Sequence, residues 1–238
     1  HSATLPTATT SALTIPATAY GNISLTPTWS SHTYTIKYNG NGSTGGSTAN
    51  STHTYGVAKE LTANGYTKTG YTFAGWATSA NGAVVYKDKQ SVTSLTAENG
   101  ATIELFAKWT ANSYKVRYYD TYANTTTYTE VEYTYDNNTL KFPNGSLDNF
   151  TFVGWVNSAT NLSPDGAYKY NTAVSNLSAT NNAIINVYSL YSRNVIVSYN
   201  GNGATSGSTA SETKTQYYNR PGSKSTSPEF TVAANGFT

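Results

Sequence analysis

Three short segments of the chain alternate apolar and polar residues with a period of two. In the first of them, Tyr34, Ile36 and Tyr38 are separated by Thr35 and Lys37. A period of two places alternate side chains on one face of a β-strand, so each segment is predicted to be a half-buried strand. The three segments are Tyr34-Thr-Ile-Lys-Tyr38, Tyr114-Lys-Val-Arg-Tyr118 and Val195-Ile-Val-Ser-Tyr199.

Further strands are predicted between the first two of these segments. Asn-Gly pairs follow the first segment, and such a pair is the strongest short-range signal for a hairpin. Residues 51–57 are therefore predicted to return as the second strand of the hairpin. Gly70 marks a turn into a middle strand over residues 71–76. A closing strand is predicted over residues 102–109, and a short helical turn over residues 92–97.

The predicted strands recur in the same order at steps of about 80 residues. The middle strand Tyr71-Thr-Phe-Ala-Gly-Trp76 is matched by Phe150-Thr-Phe-Val-Gly-Trp155. The closing strands are Ile23-Ser-Leu-Thr-Pro-Thr-Trp29, Ile103-Glu-Leu-Phe-Ala-Lys-Trp109 and Ile185-Asn-Val-Tyr-Ser-Leu-Tyr191. Self-similarity at a fixed period is the mark of a tandem repeat. We therefore divide the chain into the C-terminal half of a repeat (1–32), a complete repeat (33–112), a complete, diverged repeat (113–193) and the N-terminal half of a repeat (194–238).

The composition agrees with a mainly β chain from outside the cell. Only 11% of the 238 residues are charged, against about 25% in average proteins, and 21 tyrosines join abundant Thr, Ser, Asn and Gly. The formal net charge of +2 gives no strong attraction to nucleic acid. Cysteine is absent, and no apolar run approaches the roughly 18 residues of a membrane span.

Each unit is predicted to bury an aromatic core on one face of its sheet. A unit of about 80 residues is marginally stable alone, so packing against neighbouring repeats of the same or a like chain is expected. The predicted structural core residues are Tyr71, Phe73, Trp76, Trp109, Phe152 and Trp155.

The order of the motifs resembles the Listeria–Bacteroides repeat, also called the B repeat of internalin-type bacterial surface proteins. Gly70-Tyr-Thr-Phe-Ala-Gly-Trp76 and Leu105-Phe-Ala-Lys-Trp109 carry the resemblance in residues 33–112. In residues 113–193, Asn149 replaces the first glycine and Tyr191 replaces the final tryptophan. The resemblance implies an elongated string of small β-grasp-like modules at a bacterial cell surface or in a secreted appendage, with no catalytic residues.

The two half-repeats leave two interpretations open. In the first, the chain is a fragment of a longer array. In the second, it is a filament subunit whose C-terminal half is completed head to tail by the N-terminal half of the next subunit, because open strand edges invite strand addition. Against the second, the two halves together lack a further Gly-Tyr-Thr-Phe-x-Gly-Trp strand.

No motif in the sequence meets the structural requirements for catalysis or cofactor binding. Gly40-Asn-Gly-Ser-Thr-Gly45 fits the dinucleotide fingerprint, but the Ser- and Thr-rich residues that follow will not start the helix that the fingerprint requires. The histidines at positions 1, 32 and 53 lack the spacing of metal ligands. We therefore expect no catalytic, cofactor-binding or metal site, and no enzymatic activity.

Four tyrosines outside the repeat pattern form a candidate exposed contact strip on a Thr-rich hairpin. Such a strip could stack on carbohydrate or contact another subunit, whereas the simpler interpretation is cross-strand pairing. The four residues are Tyr122, Tyr128, Tyr133 and Tyr135.

Together these observations predict a non-enzymatic structural repeat region of a bacterial cell-surface protein, acting as stalk, spacer or filament subunit. The alternative is an adhesin-type binding module for a surface glycan or a host protein.

Overall fold

The computed structural model describes residues 30–238 and, before them, residues 17, 21, 22 and 24. Strands, turns and bends account for all regular structure in this part of the chain, which contains no helix. The expectation of a mainly β fold is thereby confirmed, whereas the β-grasp-like detail stays a prediction. The expected half-repeat at residues 1–32 lies almost entirely outside the described residues.

Fourteen strands follow one another along the described chain. They are β1 (Thr33–Asn39), β2 (Gly45–Gly46), β3 (Ser51–Thr54), β4 (Lys59–Glu60), β5 (Tyr66–Thr67), β6 (Tyr71–Ala77), β7 (Ser91–Val92), β8 (Thr102–Ala111), β9 (Ser113–Tyr119), β10 (Thr129–Thr134), β11 (Thr151–Val156), β12 (Ala183–Val197), β13 (Glu212–Asn219) and β14 (Lys224–Ser225).

The helical turn expected over residues 92–97 does not form, and that prediction was wrong. Val92 ends β7 as a strand residue. Ser94 has a φ of 56°, which is left-handed backbone that a right-handed helix cannot contain. Its hydroxyl oxygen accepts the backbone N–H of Gly56 at 3.0 Å, so the segment is hydrogen-bonded to the turn at Gly56 instead.

Residues 33–112, which we call the first unit, form a four-stranded sheet in the order β3-β1-β8-β6. Strand β1 pairs antiparallel with β3 and parallel with β8, while β6 pairs antiparallel with β8. The alternation read from the sequence decides which face of β1 is buried. Tyr34, Ile36 and Tyr38 are 1%, 0% and 4% exposed and point into the core.

Residues 113–193, the second unit, repeat this sheet with the same partners in the same registers. Strand β9 pairs antiparallel with β10 and parallel with β12, and β11 pairs antiparallel with β12. The cross-strand pair Tyr114↔Tyr133 corresponds to Tyr34↔His53. The recurrence read from the sequence therefore has a counterpart in the strand pairing.

Residues 194–238, the third segment, repeat only the opening part of a unit. Strand β12 runs without a break from the second unit to Val197 of this segment and pairs with β13. Gly207 pairs with Phe237 as Gly46 pairs with Tyr66 in the first unit.

Candidate functional site: the junctions between units

The six predicted core residues lie in three different environments. Trp76 is 0% exposed and Trp155 is 2% exposed, each at the centre of the aromatic core of its unit. Phe73, Trp109 and Phe152 are half-buried and pack against the edges of these cores. Tyr71 is half-buried too, but it contacts the second unit and not the core of its own, so its assignment to the core is corrected.

A glycine precedes each core tryptophan because the backbone passes there very close to another segment of the chain. Gly75 and Gly154 have φ values of 140° and 150° and each sits at a bulge of its strand. A Cβ atom would lie 2.7 Å from the carbonyl oxygen of Tyr86 at Gly75, and 2.6 Å from that of Tyr168 at Gly154. The Gly-Trp dipeptide of the repeat is thus a structural requirement of the bulge.

The four tyrosines of the candidate contact strip do not form one exposed surface. Tyr122 and Tyr128 are 66% and 40% exposed, and the Arg117 guanidinium lies 4.4 Å from the ring centroid of Tyr128. Tyr133 is only 3% exposed, because it points to the inner face of β10 and its hydroxyl contacts that of Tyr118 at 2.6 Å. The expectation of exposure was therefore wrong for Tyr133. Tyr135 is half-buried between two units.

The junction between the first and second units is built around a single residue, Asn112, which is 8% exposed. Its backbone N–H donates to the carbonyl of Gly70 at 2.8 Å, and its carbonyl accepts the N–H of Tyr135 at 2.9 Å. Its side-chain oxygen accepts the hydroxyl of Thr72 at 2.6 Å, and its amide nitrogen donates to the carbonyl of Ala179 at 2.7 Å. Asn112 therefore bonds the middle strand of one unit to two segments of the next.

An aromatic contact closes the same junction. The ring of Tyr135 lies directly against Gly70, where a Cβ atom would overlap it. Tyr135 meets the ring of Tyr71 edge-on, with centroids 5.8 Å apart. The Tyr71 hydroxyl donates to Asp136 Oδ2 at 2.7 Å, and this hydrogen bond is the main cause of the raised pKa of Tyr71. Lys68 Nζ lies 4.3 Å from the Tyr71 ring centroid.

The junction between the second unit and the third segment uses different contacts. Strand β13 of the third segment also pairs with the part of β12 that belongs to the second unit, including Leu190 and Tyr191. The Tyr191 hydroxyl donates to Asp120 Oδ1 at 2.7 Å, and Arg220 Nη1 lies 3.6 Å from the same oxygen. Burial of Tyr191, followed by its bond to Asp120, raises the pKa of the phenol.

A second buried asparagine anchors this junction. Asn219 is 0% exposed, and its amide nitrogen donates to the carbonyls of Ser158 at 3.0 Å and Asn161 at 3.2 Å. Its side-chain oxygen accepts the N–H of Gly222 at 3.2 Å. A buried amide whose bonds are satisfied fixes the relative position of the segments that it joins. Both junctions therefore rest on an asparagine that periodicity did not single out.

A buried histidine distinguishes the core of the first unit. His53 is 1% exposed, and its ring stacks on Tyr34 with centroids 5.6 Å apart. Its Nε2 contacts the Ser51 hydroxyl at 2.9 Å, while Nδ1 has no partner among the described residues. Burial, and secondly the charge of Lys59, lower the pKa of His53 below its ordinary value of 6.5.

Three charged residues on the outer face of the second unit pair with one another. Glu130 accepts Lys115 Nζ at 2.7 Å and Arg117 Nε at 2.8 Å, and these two bonds hold the pKa of Glu130 below its usual value. In the described part of the chain, no group of three His, Asp or Glu side chains is placed to hold a metal ion. Nor does that part contain a helix long and apolar enough to cross a membrane.

The strand arrangement defines an all-β protein in which the same pattern of strand pairing occurs twice. Residues 34–108, about a third of the chain, match the family model of the Listeria-Bacteroides repeat domain. The resemblance stated from the Gly70-to-Trp76 and Leu105-to-Trp109 motifs is thereby confirmed for the first unit. This repeat domain belongs to bacterial surface proteins, which points to a location at or outside the cell surface. No curated protein matches the chain.

Proposed function

We propose that this chain is a structural repeat region of a bacterial surface protein and acts as a spacer that holds successive units at a fixed orientation. The observation that carries the proposal is the junction at Asn112. One residue separates β8, which ends at Ala111, from β9, which starts at Ser113. That residue bonds both units through its backbone and its side chain.

A connection of this kind differs physically from a flexible linker. Gly- and Ser-rich linkers let domains reorient because they make few fixed contacts. Asn112 belongs to the first unit, so a rotation between the units would break its bonds to Tyr135 and Ala179. Each broken bond leaves a partly buried polar group unpaired, at a cost of about 1–3 kcal/mol. Several such bonds act together, so other relative orientations of the two units are populated very little.

The second junction supports the same proposal by a different route. Strand β12 is shared by the second unit and the third segment, so no linker exists between them. Strand β13 pairs with β12 without interruption from Leu190 to Val197, so bending at the boundary would break ladder hydrogen bonds. The spacer is therefore continuous from the second unit into the third segment.

The adhesin-type alternative loses two of the four tyrosines on which it was based. Tyr133 lies in the core and Tyr135 lies in the first junction. Tyr122 and Tyr128 remain exposed, but no described cleft brings them together with polar groups. We therefore do not propose glycan binding, and head-to-tail association between chains stays a prediction from the sequence.

The distance between two spin labels, one in each unit, tests the spacer proposal. The chain has no cysteine, so Thr78→Cys and Lys169→Cys, both at exposed positions, give a clean label pair. Pulsed electron–electron double resonance is expected to show one narrow distance distribution. In the additional variant Asn112→Ala, the distribution is expected to broaden because the two units lose the side-chain bonds that join them.

Asn144→Ala is the matched control, because Asn144 is exposed and takes part in none of the contacts described at this junction. It should leave the distribution narrow. A broad distribution in the labelled chain with Asn112 intact would refute the spacer proposal.

A further inference from the structure

The first unit carries, on the side away from the second unit, a copy of the surface that the second unit uses at its junction. A shallow recess on that side is lined by Ser30, Ser31, His32, Tyr55 and Ala97. Tyr55 is 48% exposed. Its counterpart one repeat later is Tyr135, which is half-buried against the first unit.

The backbone around the two tyrosines is the same. The N–H of Tyr55 donates to the carbonyl of His32 at 2.8 Å, and that of Tyr135 donates to the carbonyl of Asn112 at 2.9 Å. Each tyrosine is followed by a residue in left-handed backbone, Gly56 with a φ of 79° and Asp136 with a φ of 62°. The two rings are therefore presented at the end of the same hairpin.

The supporting bonds behind the two hairpins also correspond. Gly56 N–H donates to Ser94 Oγ at 3.0 Å, and Asp136 N–H donates to Asn176 Oδ1 at 2.8 Å. Ser94 and Asn176 share a φ of 56°. The surface of the first unit is therefore held in the shape that its counterpart has when it is docked.

His32 takes the position of Asn112 and offers the same hydrogen-bonding groups. Its Nδ1 lies 2.8 Å from the carbonyl of Ala97, as the amide nitrogen of Asn112 lies 2.7 Å from that of Ala179. A carbonyl only accepts, so the proton sits on Nδ1 and Nε2 of the neutral ring is an acceptor. At Asn112 the corresponding acceptor, Oδ1, receives the hydroxyl of Thr72.

We propose that Tyr55 and His32 form a docking surface for a further repeat unit that precedes the first unit in the same polypeptide. The partner is defined by its chemistry: a middle strand that begins Gly-aromatic-Thr, as Gly70-Tyr71-Thr72 does. Its glycine receives the ring of Tyr55, its glycine carbonyl accepts the N–H of His32, and its threonine hydroxyl donates to His32 Nε2. The proposal rests on the proposed spacer function, since it assumes that each junction is a fixed contact.

A duplication inside the full chain tests the proposal. A second copy of residues 33–111, followed by one histidine, is inserted directly after His32. The extended chain then contains an outer Tyr55, in the first copy, and an inner Tyr55 that faces the Gly70 and Tyr71 of that copy. Tyr55→Phe in one copy at a time identifies which tyrosine is modified. The readout is the rate of nitration by tetranitromethane, followed by mass spectrometry.

Nitration of the inner Tyr55 is expected to slow to the rate of Tyr135, while the outer Tyr55 keeps the faster rate that it has in the unextended chain. Tyr122, which is 66% exposed, sets the rate of a free tyrosine. Tyr55→Ala in the inner copy is expected to lower the urea midpoint of the extended chain, as Tyr135→Ala does. The same substitution in the unextended chain should leave the midpoint nearly unchanged.

Two results would overturn the proposal. One is an inner Tyr55 that reacts as fast as Tyr122 while Tyr135 is protected, and this result leaves the spacer function intact. The other is a Tyr55 already as slow as Tyr135 in the unextended chain, which would mean that another segment or a second copy covers it. Fast nitration of Tyr135 itself would instead contradict the spacer function, so the two failures are distinguishable.

Discussion

The first and second units form the same arrangement of strands, although their side chains differ at three corresponding places. At the edge of the core, Trp109 Nε1 donates to the carbonyl of Gly40 at 3.0 Å in the first unit. In the second unit Tyr191 takes the place of the tryptophan, and its hydroxyl donates to the side chain of Asp120. Asp120 stands where the first unit has Gly40, so a side-chain carboxylate replaces the backbone carbonyl as the acceptor.

The turn before the middle strand shows the same principle. Gly70 has a φ of 77° and Asn149 has a φ of 63°. Asparagine is among the few residues that tolerate left-handed backbone, so the replacement of the family glycine keeps the turn. At Gly70 the missing side chain also admits the ring of Tyr135, and only that junction needs a glycine.

The centre of each hairpin provides the third difference. His53 and Ser51 of the first unit correspond to Tyr133 and Val131 of the second. Both rings stack on the tyrosine across the strand, with centroids 5.6 Å apart for His53 and 5.9 Å for Tyr133. The comparison teaches that the two units share their backbone hydrogen bonds. Side chains that contact each other differ together between the units, so that the backbone arrangement is kept.

The largest expected effect follows truncation of the core tryptophans. Trp76→Ala and Trp155→Ala should each lower the free energy of unfolding by about 3–5 kcal/mol, because a buried ring is replaced by a cavity. The comparison is sharpened by Trp→Phe. Trp155 Nε1 donates to the carbonyl of Pro143 at 2.9 Å, whereas Trp76 Nε1 has no partner among the described residues.

Trp155→Phe should therefore cost about 1 kcal/mol more than Trp76→Phe, since it alone removes a hydrogen bond. Urea unfolding followed by far-ultraviolet circular dichroism measures both. Equal costs for the two phenylalanine variants would show that the Pro143 bond contributes nothing.

The next effect concerns the bulge, at which the two units are alike. Gly75→Ala and Gly154→Ala should each destabilise the chain by about 2–3 kcal/mol, because alanine must adopt strained backbone next to a carbonyl oxygen. Gly166→Ala, at an exposed turn with no atom near a Cβ, is the control for the cost of a positive φ alone. If Gly75→Ala cost no more than Gly166→Ala, the close approach of Tyr86 would not be the reason for the glycine.

A smaller effect is expected where the units differ at the edge of the core. Tyr191→Phe removes the bond to Asp120 and should cost about 2 kcal/mol, since hydrogen bonds to charged groups contribute about 1.5–3 kcal/mol. A double-mutant cycle with Asp120→Ala should give a coupling energy of about 1 kcal/mol or more. A coupling energy near zero would mean that Asp120 contributes to stability only through its contact with Arg220.

How much of this could be read from the sequence depends on the range of the contacts. The alternation of Tyr34, Ile36 and Tyr38 and the recurrence of Gly-Trp follow from one strand at a time, and both predicted the sheet. Tyr133 was misjudged, although Val131 and Tyr133 also alternate with charged residues on β10. That alternation, read alone, would have placed Tyr133 inward.

The junctions, in contrast, depend on contacts between units that leave no periodic signal. Asn112 looks like one more polar residue of an Asn-rich chain, and Tyr71 looks like the first core residue of its strand. Their roles emerge only when β8 and β9 lie end to end and bring Gly70 against Tyr135. Residues that join repeats cannot be recognised from one repeat, because their partners belong to the next.

The smallest effect at neutral pH, and the one most specific to the first unit, concerns His53. Its pKa is lowered in the folded chain, so between that value and 6.5 the unfolded chain binds more protons than the folded chain. Stability is then full above about pH 6.5 and is lost as the pH falls through this window. The urea midpoint should drop between pH 7.5 and pH 5 by more than the remaining groups account for.

The second unit supplies the matched control for this prediction. The double variant Ser51→Val/His53→Tyr copies Val131 and Tyr133, whose hydroxyl bonds to Tyr118 as the new one would bond to Tyr38. It keeps His1, His32 and every carboxylate, so any pH dependence that it retains comes from those groups. The difference in slope between the parent and this variant isolates His53. Parallel slopes would show that the buried imidazole accepts a proton in the folded chain as easily as in the unfolded one.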